Sequence, residues 1–160
     1  MNEWHDLFVA TSGSAAALTG LIFVGVSINL NRILSFPRLA DRALVSLALL
    51  FSILIVSILM LVPEQAILFL GLEIIVVVLL VWIMILKIDL SIYANTAEEY
   101  KKQYRYHLLF NQVAIYPYLI AGVSLLVGVE SGVYWIVPSI CFCFFKSIWD
   151  AWILLVEINR

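Results

Sequence analysis

Long apolar runs alternate with short polar breaks along this chain. Five runs reach the about 20 residues that a membrane-crossing helix needs: 7–30, 43–62, 66–86, 108–129 and 133–156. Pro63, Glu64 and Gln65 alone separate the second from the third, and Glu130, Ser131 and Gly132 alone separate the fourth from the fifth. Breaks this short predict two antiparallel helical hairpins. The one sizeable connection is 88–107. There Thr96 followed by Glu99 has the spacing of a capping box, and Glu98 with Lys102 that of a favourable ion pair one turn apart. A helix is therefore expected from near Ala97, running continuously into the fourth run. The predicted fold is a single all-α integral membrane domain over 1–160, a bundle of five transmembrane helices with almost no soluble portion.

Charge placement orients the bundle. Arg32, Arg38 and Arg42 fall between the first two runs, Lys87, Lys101, Lys102 and Arg105 between the third and fourth, and Arg160 after the fifth. The other breaks hold only acids: Glu3, Asp6, Glu64 and Glu130. An odd number of crossings puts every basic segment on one face, which the positive-inside rule makes cytoplasmic. The N-terminus is then outside and the C-terminus inside. Four crossings is the alternative, but it strands Arg160 outside.

Composition agrees with the pattern. The chain is 64% hydrophobic and 12% charged, against about half and a quarter for a soluble domain. No segment is basic or soluble enough to predict a nucleic-acid partner. The opening MNEWHD lacks the positive charge of a secretory signal. Lipid is the expected surrounding, with Tyr100, Tyr104, Tyr106 and His107 at headgroup level and Lys101, Lys102 and Arg105 in contact with anionic headgroups. Trp4, Trp135, Trp149 and Trp152 suit the aromatic belts.

Ionisable residues within the runs are the candidates for function. Lys146 and Asp150 stand one helical turn apart in the fifth run, where each costs about 2.5–3.5 kcal/mol on insertion scales. At about 100° per residue, Ser139, Cys143, Lys146, Asp150 and Glu157 share one stripe. That stripe must be shielded by companion helices or wetted by a cavity. Two roles are open to the pair: mutual neutralisation that fixes the helix in register, or lining of a hydrated path. Glu73, in the third run, has no polar neighbour on its own stripe and is expected neutral if alone. An extended Lys146 from the fifth run comes within reach of it.

The first run gathers Ser12, Gly13, Ala16, Thr19, Gly20 and Ser27 on one side. Such a face suits close packing against another helix, or lines a pore. Asn29 and Asn31 are expected at its inner mouth. Pro117 and Pro138 are expected to bend the fourth and fifth runs. Cys141 and Cys143 point in different directions and cannot share a metal, and His5 and His107 fall at opposite faces. No HExxH, Gly-rich phosphate loop or GxSxG is present. Neither a cofactor, a metal nor an enzymatic activity is predicted.

The opening WHDLFVATSGSAAALTGLIFVGVSINL and the closing DAWILLVEINR resemble the two ends of a family of small prokaryotic multi-pass membrane proteins. Some members carry labels implying modulation of the FtsH membrane protease. The resemblance implies a prokaryotic inner (plasma) membrane and a regulatory membrane-protein partner, and it brings no catalytic residues. Taken together, the residues point first to a small homo-oligomeric channel or pore-like protein, its interior supplied by association of identical subunits. The alternative is a non-transporting accessory protein that binds another membrane protein.

Overall fold

The computed structural model describes residues 4–158 except 97, and the side chains at 37, 38, 103, 157 and 158 lie outside that description. Its order is α1 (His5–Ile28), α2 (Leu30–Ser35), α3 (Pro37–Leu61), α4 (Ile67–Ala94), α5 (Glu98–Leu126), a 3-10 turn (Glu130–Trp135) and α6 (Ile136–Ile158). The chain is 92% helical without strands among the described residues. Five helices are long and apolar enough to cross a membrane. The all-α multi-pass bundle read from the hydropathy is the observed fold.

α3, α4 and α5 exceed their apolar runs because polar residues near a membrane surface can continue a helix once its hydrogen bonding is under way. α4 runs eight residues beyond the expected end of its span, to Ala94, and α5 begins at Glu98. The expected connection of 88–107 is therefore mostly the ends of two long helices, and residue 97, the expected helix start, lies outside the described residues. The Thr96 hydroxyl donates back to the Ile92 carbonyl at 2.6 Å, tying it to α4. Glu98 pairs with Lys101 at 2.6 Å rather than with Lys102. At the first run's end, Asn29 breaks the helix, its amide donating to Gly25 O at 3.1 Å, and the short α2 follows.

Turn chemistry closes the hairpins. Gly128 has φ +85°, its N–H donates to Leu125 O, and the Val129 N–H donates to Ser124 O. This is a Schellman ending, which a glycine in left-handed backbone permits without steric cost. Pro138 does not bend α6 as expected. It sits in that helix's first turn, where its missing N–H leaves no α-helical bond unmade.

α3 is the central helix, packed against α1, α4 and α6, while α5 packs against α4 and α6. Leu49, Leu50, Ile53 and Val56 of α3 meet Ile74 and Ile85 of α4, Ile115 and Tyr118 of α5, and Ile136 and Ile140 of α6 in one core. α1 is peripheral. It buries Phe8, Thr11 and Ala15, and Thr11 shares a 2.9 Å hydroxyl bond with Ser57 of α3. One end of the bundle holds the start of α1, the 62–66 turn and the 127–135 turn, and there Trp4 meets Tyr134 edge-on. The other holds α2 and the α4–α5 connection. We call these the turn end and the basic end.

Candidate functional site

Towards the basic end, four helices turn charged and polar side chains onto one another. A cavity of about 10 Å³ is lined by Arg42 and Val45 of α3, Asp89 and Ile92 of α4, Tyr104, His107 and Asn111 of α5, and Lys146 and Asp150 of α6. That volume is at the threshold for a single enclosed water. Asp89, Lys146 and Asp150 are 2%, 5% and 2% exposed. Charges this deep persist only when paired and hydrogen-bonded, since an isolated one neutralises or destabilises the fold.

Each charge has a partner. The Lys146 ammonium donates to Asp150 Oδ2. The Tyr104 hydroxyl donates to Asp89 Oδ1 at 3.1 Å, and the Asn111 amide donates to Asp89 Oδ2 at 2.9 Å. Asp150 Oδ1 lies 4.0 Å from His107 Nδ1, too long for a direct hydrogen bond and suited to a bridging water. The His107 ring stacks on Tyr104, with centroids 6.2 Å apart. Arg42 completes a set of two acidic and two basic side chains around the cavity.

Polar groups continue towards the turn end. Cys143 Sγ donates to Ala114 O at 3.6 Å, with Ser52 of α3 beside the thiol. Level with the charge cluster, Ser147 Oγ donates to Ser46 O at 3.2 Å. Two α5–α6 contacts, Asp150 against His107 and Cys143 against Ala114, share one antiparallel register, and a further step of four residues brings Ser139 level with Tyr118. Ser139 and Tyr118 are fully buried, and their hydroxyls lack partners among the described atoms, as do Asn111 Oδ1 and Asp150 Oδ1. Buried polar atoms left without protein partners in a native fold are usually met by ordered water. From Asp150 to Ser139 the column rises about 16 Å along α6. That is about half of the roughly 30 Å hydrocarbon thickness.

Sequence-derived candidates divide between this column and elsewhere. Ser139, Cys143, Lys146 and Asp150 share the buried face of α6, while Phe145, Trp149 and Trp152 on its other side are exposed. The side chain of Glu157 lies outside the described residues. Glu73 is half-buried near the turn end and accepts from Gln65 Nε2 at 2.6 Å. The expected reach of Lys146 to Glu73 is not made, because Asp150 on its own helix is nearer. Gly13, Ala16, Gly20 and Ser27 face outward from the protomer, with Ser12 and Thr19 half-buried. A Cβ added at Gly13 or Gly20 meets nothing within 4 Å. The hydroxyls of Ser12, Thr19 and Ser27 donate to carbonyls of their own helix, so they present no unpaired donor to an apolar surrounding. Lys102 and Arg105 are exposed at the basic end, where Lys101 also lies over the Tyr93 ring.

Asp89 escaped the sequence reading, as did the roles of Arg42, His107 and Asn111. Asp89 falls three residues past the expected end of its span and so read as a loop residue. The signal was its phase: Val78, Val81, Ile85, Asp89 and Ile92 are successive buried positions of α4, spaced as one face of a helix. Among the described residues, no three His, Cys, Asp or Glu side chains form a metal-binding group. Comparison with known protein families, with curated proteins and with solved structures gives no match.

Proposed function

We propose that this is a multi-pass membrane protein that relays protons along the polar column inside each protomer, with Asp89, Lys146 and Asp150 as its charged stations. The observation that carries this reading is the stack of buried, incompletely bonded polar groups from the charge cluster to Ser139 and Tyr118. Ionisable groups held inside a membrane bundle characteristically mark ion paths and proton relays. The cavity offers room for about one water, and a proton needs only a chain of donors, acceptors and an occasional water. The path proposed from the sequence lay between subunits. This one lies within a single chain, because α3, α4 and α5 close over the charged part of the stripe on α6.

Orientation and location belong to the same proposal. Arg32, Arg42, Lys101, Lys102 and Arg105 gather at the basic end, which the positive-inside rule assigns to the cytoplasm of a prokaryotic inner membrane. The outward face of α1 supports self-association as well, since small residues let membrane helices approach closely. The same open face favours a second reading, in which α1 docks on a different membrane protein, such as the protease implied by the resemblance of the chain's two ends.

The test is proton entry into liposomes containing the purified protein and a trapped pH dye, driven by a potassium diffusion potential. The wild type is expected to acidify the lumen well above protein-free vesicles. Asp89→Asn keeps an acceptor for Tyr104 or Asn111 but cannot carry the proton, and its rate is expected near background. A wild-type rate at background, or an Asp89→Asn rate equal to the wild type, contradicts the proposal.

A further inference from the structure

A cleft of about 340 Å³ opens sideways between α5 and α6, lined by Tyr106, His107, Phe110, Phe145, Lys146 and Trp149. Its size falls within the about 300–1,000 Å³ of small-molecule sites. Tyr106, Phe110, Phe145 and Trp149 are about half exposed, so the cleft faces the hydrocarbon rather than the bundle core. At its back, Lys146 and His107 also line the buried charge cluster.

We infer that this cleft binds one anionic phospholipid, with an acyl chain lying among Phe110, Phe145 and Trp149 and its phosphate held by Lys102 and Arg105. Lys102, Tyr106 and Phe110 follow one another at successive turns on one face of α5, so a cationic side chain stands directly beyond the aromatic mouth. From Lys102 to Phe110 is about 12 Å along the helix, the separation between a headgroup and the upper part of its chain. Tyr106 and Trp149 have the amphipathic rings favoured at that boundary. Lys101 is engaged by Glu98, which leaves the phosphate to Lys102 and Arg105, both exposed.

Charge also argues against a second copy of the chain as occupant. A two-fold contact through this face brings Lys102 and Arg105 of both copies together. A groove of about 150 Å³ between α1 and α6, lined by residues including Leu21, Gly25, Val26 and Leu155, has no charged lining residue. It serves as an internal control.

The experiment uses the full-length protein in phosphatidylcholine vesicles with a trace of phosphatidylglycerol bearing a photoreactive group on its acyl chain. Labelled residues are mapped by mass spectrometry. Labels are expected to concentrate on Tyr106, Phe110, Phe145 and Trp149. Unlabelled phosphatidylglycerol, and not added phosphatidylcholine, is expected to displace them. Lys102→Gln is expected to weaken binding about fivefold, the equivalent of the about 1 kcal/mol that a basic side chain contributes at an anionic surface, and Lys102→Arg to retain it. Labelling shared equally with the α1–α6 groove, indifference to headgroup charge, or a disulfide between copies carrying Phe145→Cys with the exposed Cys141 replaced by serine overturns the inference. The readout is binding alone, so it stands apart from the proton-relay reading.

Discussion

Replacing Lys146 with methionine is expected to destabilise the protein by about 3–5 kcal/mol, because it leaves the Asp150 carboxylate buried without its cation. Asp150 is 2% exposed, its second oxygen already lacks a hydrogen-bond partner, and Asp89 brings a like charge to the same cavity. Methionine fills much of the volume of the lysine stem, so the loss isolates the charge rather than the packing. At about 2–4 °C per kcal/mol for a chain of this size, the melting temperature in mild detergent should fall by about 10 °C. The double variant Lys146→Met/Asp150→Leu is expected to recover most of that loss, since replacing both members of a buried pair with apolar groups is often neutral or stabilising. It should remain inactive in proton transport. A single variant as stable as the wild type contradicts the buried, paired arrangement.

Gly71→Ala is expected to cost about 3 kcal/mol, at the upper end of what overpacking a tight core typically costs. A Cβ at Gly71 falls 2.7 Å from Leu126 N and 2.9 Å from Gly122 O. Both are backbone atoms of α5 and cannot rotate aside, so α4 and α5 must separate. Gly122→Ala provides the contrast. Its new Cβ falls 2.6 Å from Ile75 Cγ1, a side-chain atom that a shift in χ1 moves, while the nearest backbone atom, Gly71 O, is 3.3 Å away, and a smaller loss of about 1 kcal/mol is expected. Thermal or chemical unfolding of the two variants in the same detergent checks the order. Equal losses, or a larger one at Gly122, contradict the close crossing of α4 over α5.

How far residues alone reach is seen by following individual helices. The spans were legible because hydropathy over about 20 residues is a strong signal, and Lys146 with Asp150 stood out against the apolar run around them. Asp89 did not, because hydropathy falls at Lys87 while the helix continues to Ala94. Span ends mark where hydrocarbon stops, not where hydrogen bonding stops. His107 was expected at headgroup level, whereas His107 and Asn111 turn onto the charge cluster. Their inward direction depends on the rotation of α5, which its weakly patterned first turns do not fix. α1 shows the opposite limit: small, hydroxyl and apolar residues give its faces little contrast, so nothing local decides between Phe8, Thr11 and Ala15 facing α3 and Gly13, Ala16 and Gly20 doing so. The neighbour decides, through the volume of Phe8 and the hydroxyl bond between Thr11 and Ser57.

If the relay is complete inside one chain, it needs no second copy, and the decisive quantity is how transport scales with protein density. Liposomes are prepared from well below one protomer per vesicle to several, and the fraction that acidifies under a fixed driving potential is counted. A single-protomer path gives a fraction that rises in proportion to density from the most dilute sample onward. A fraction that stays at background until vesicles hold two or more copies, then climbs as a higher power, assigns any conduction to an interface between subunits and removes the column from the role given to it.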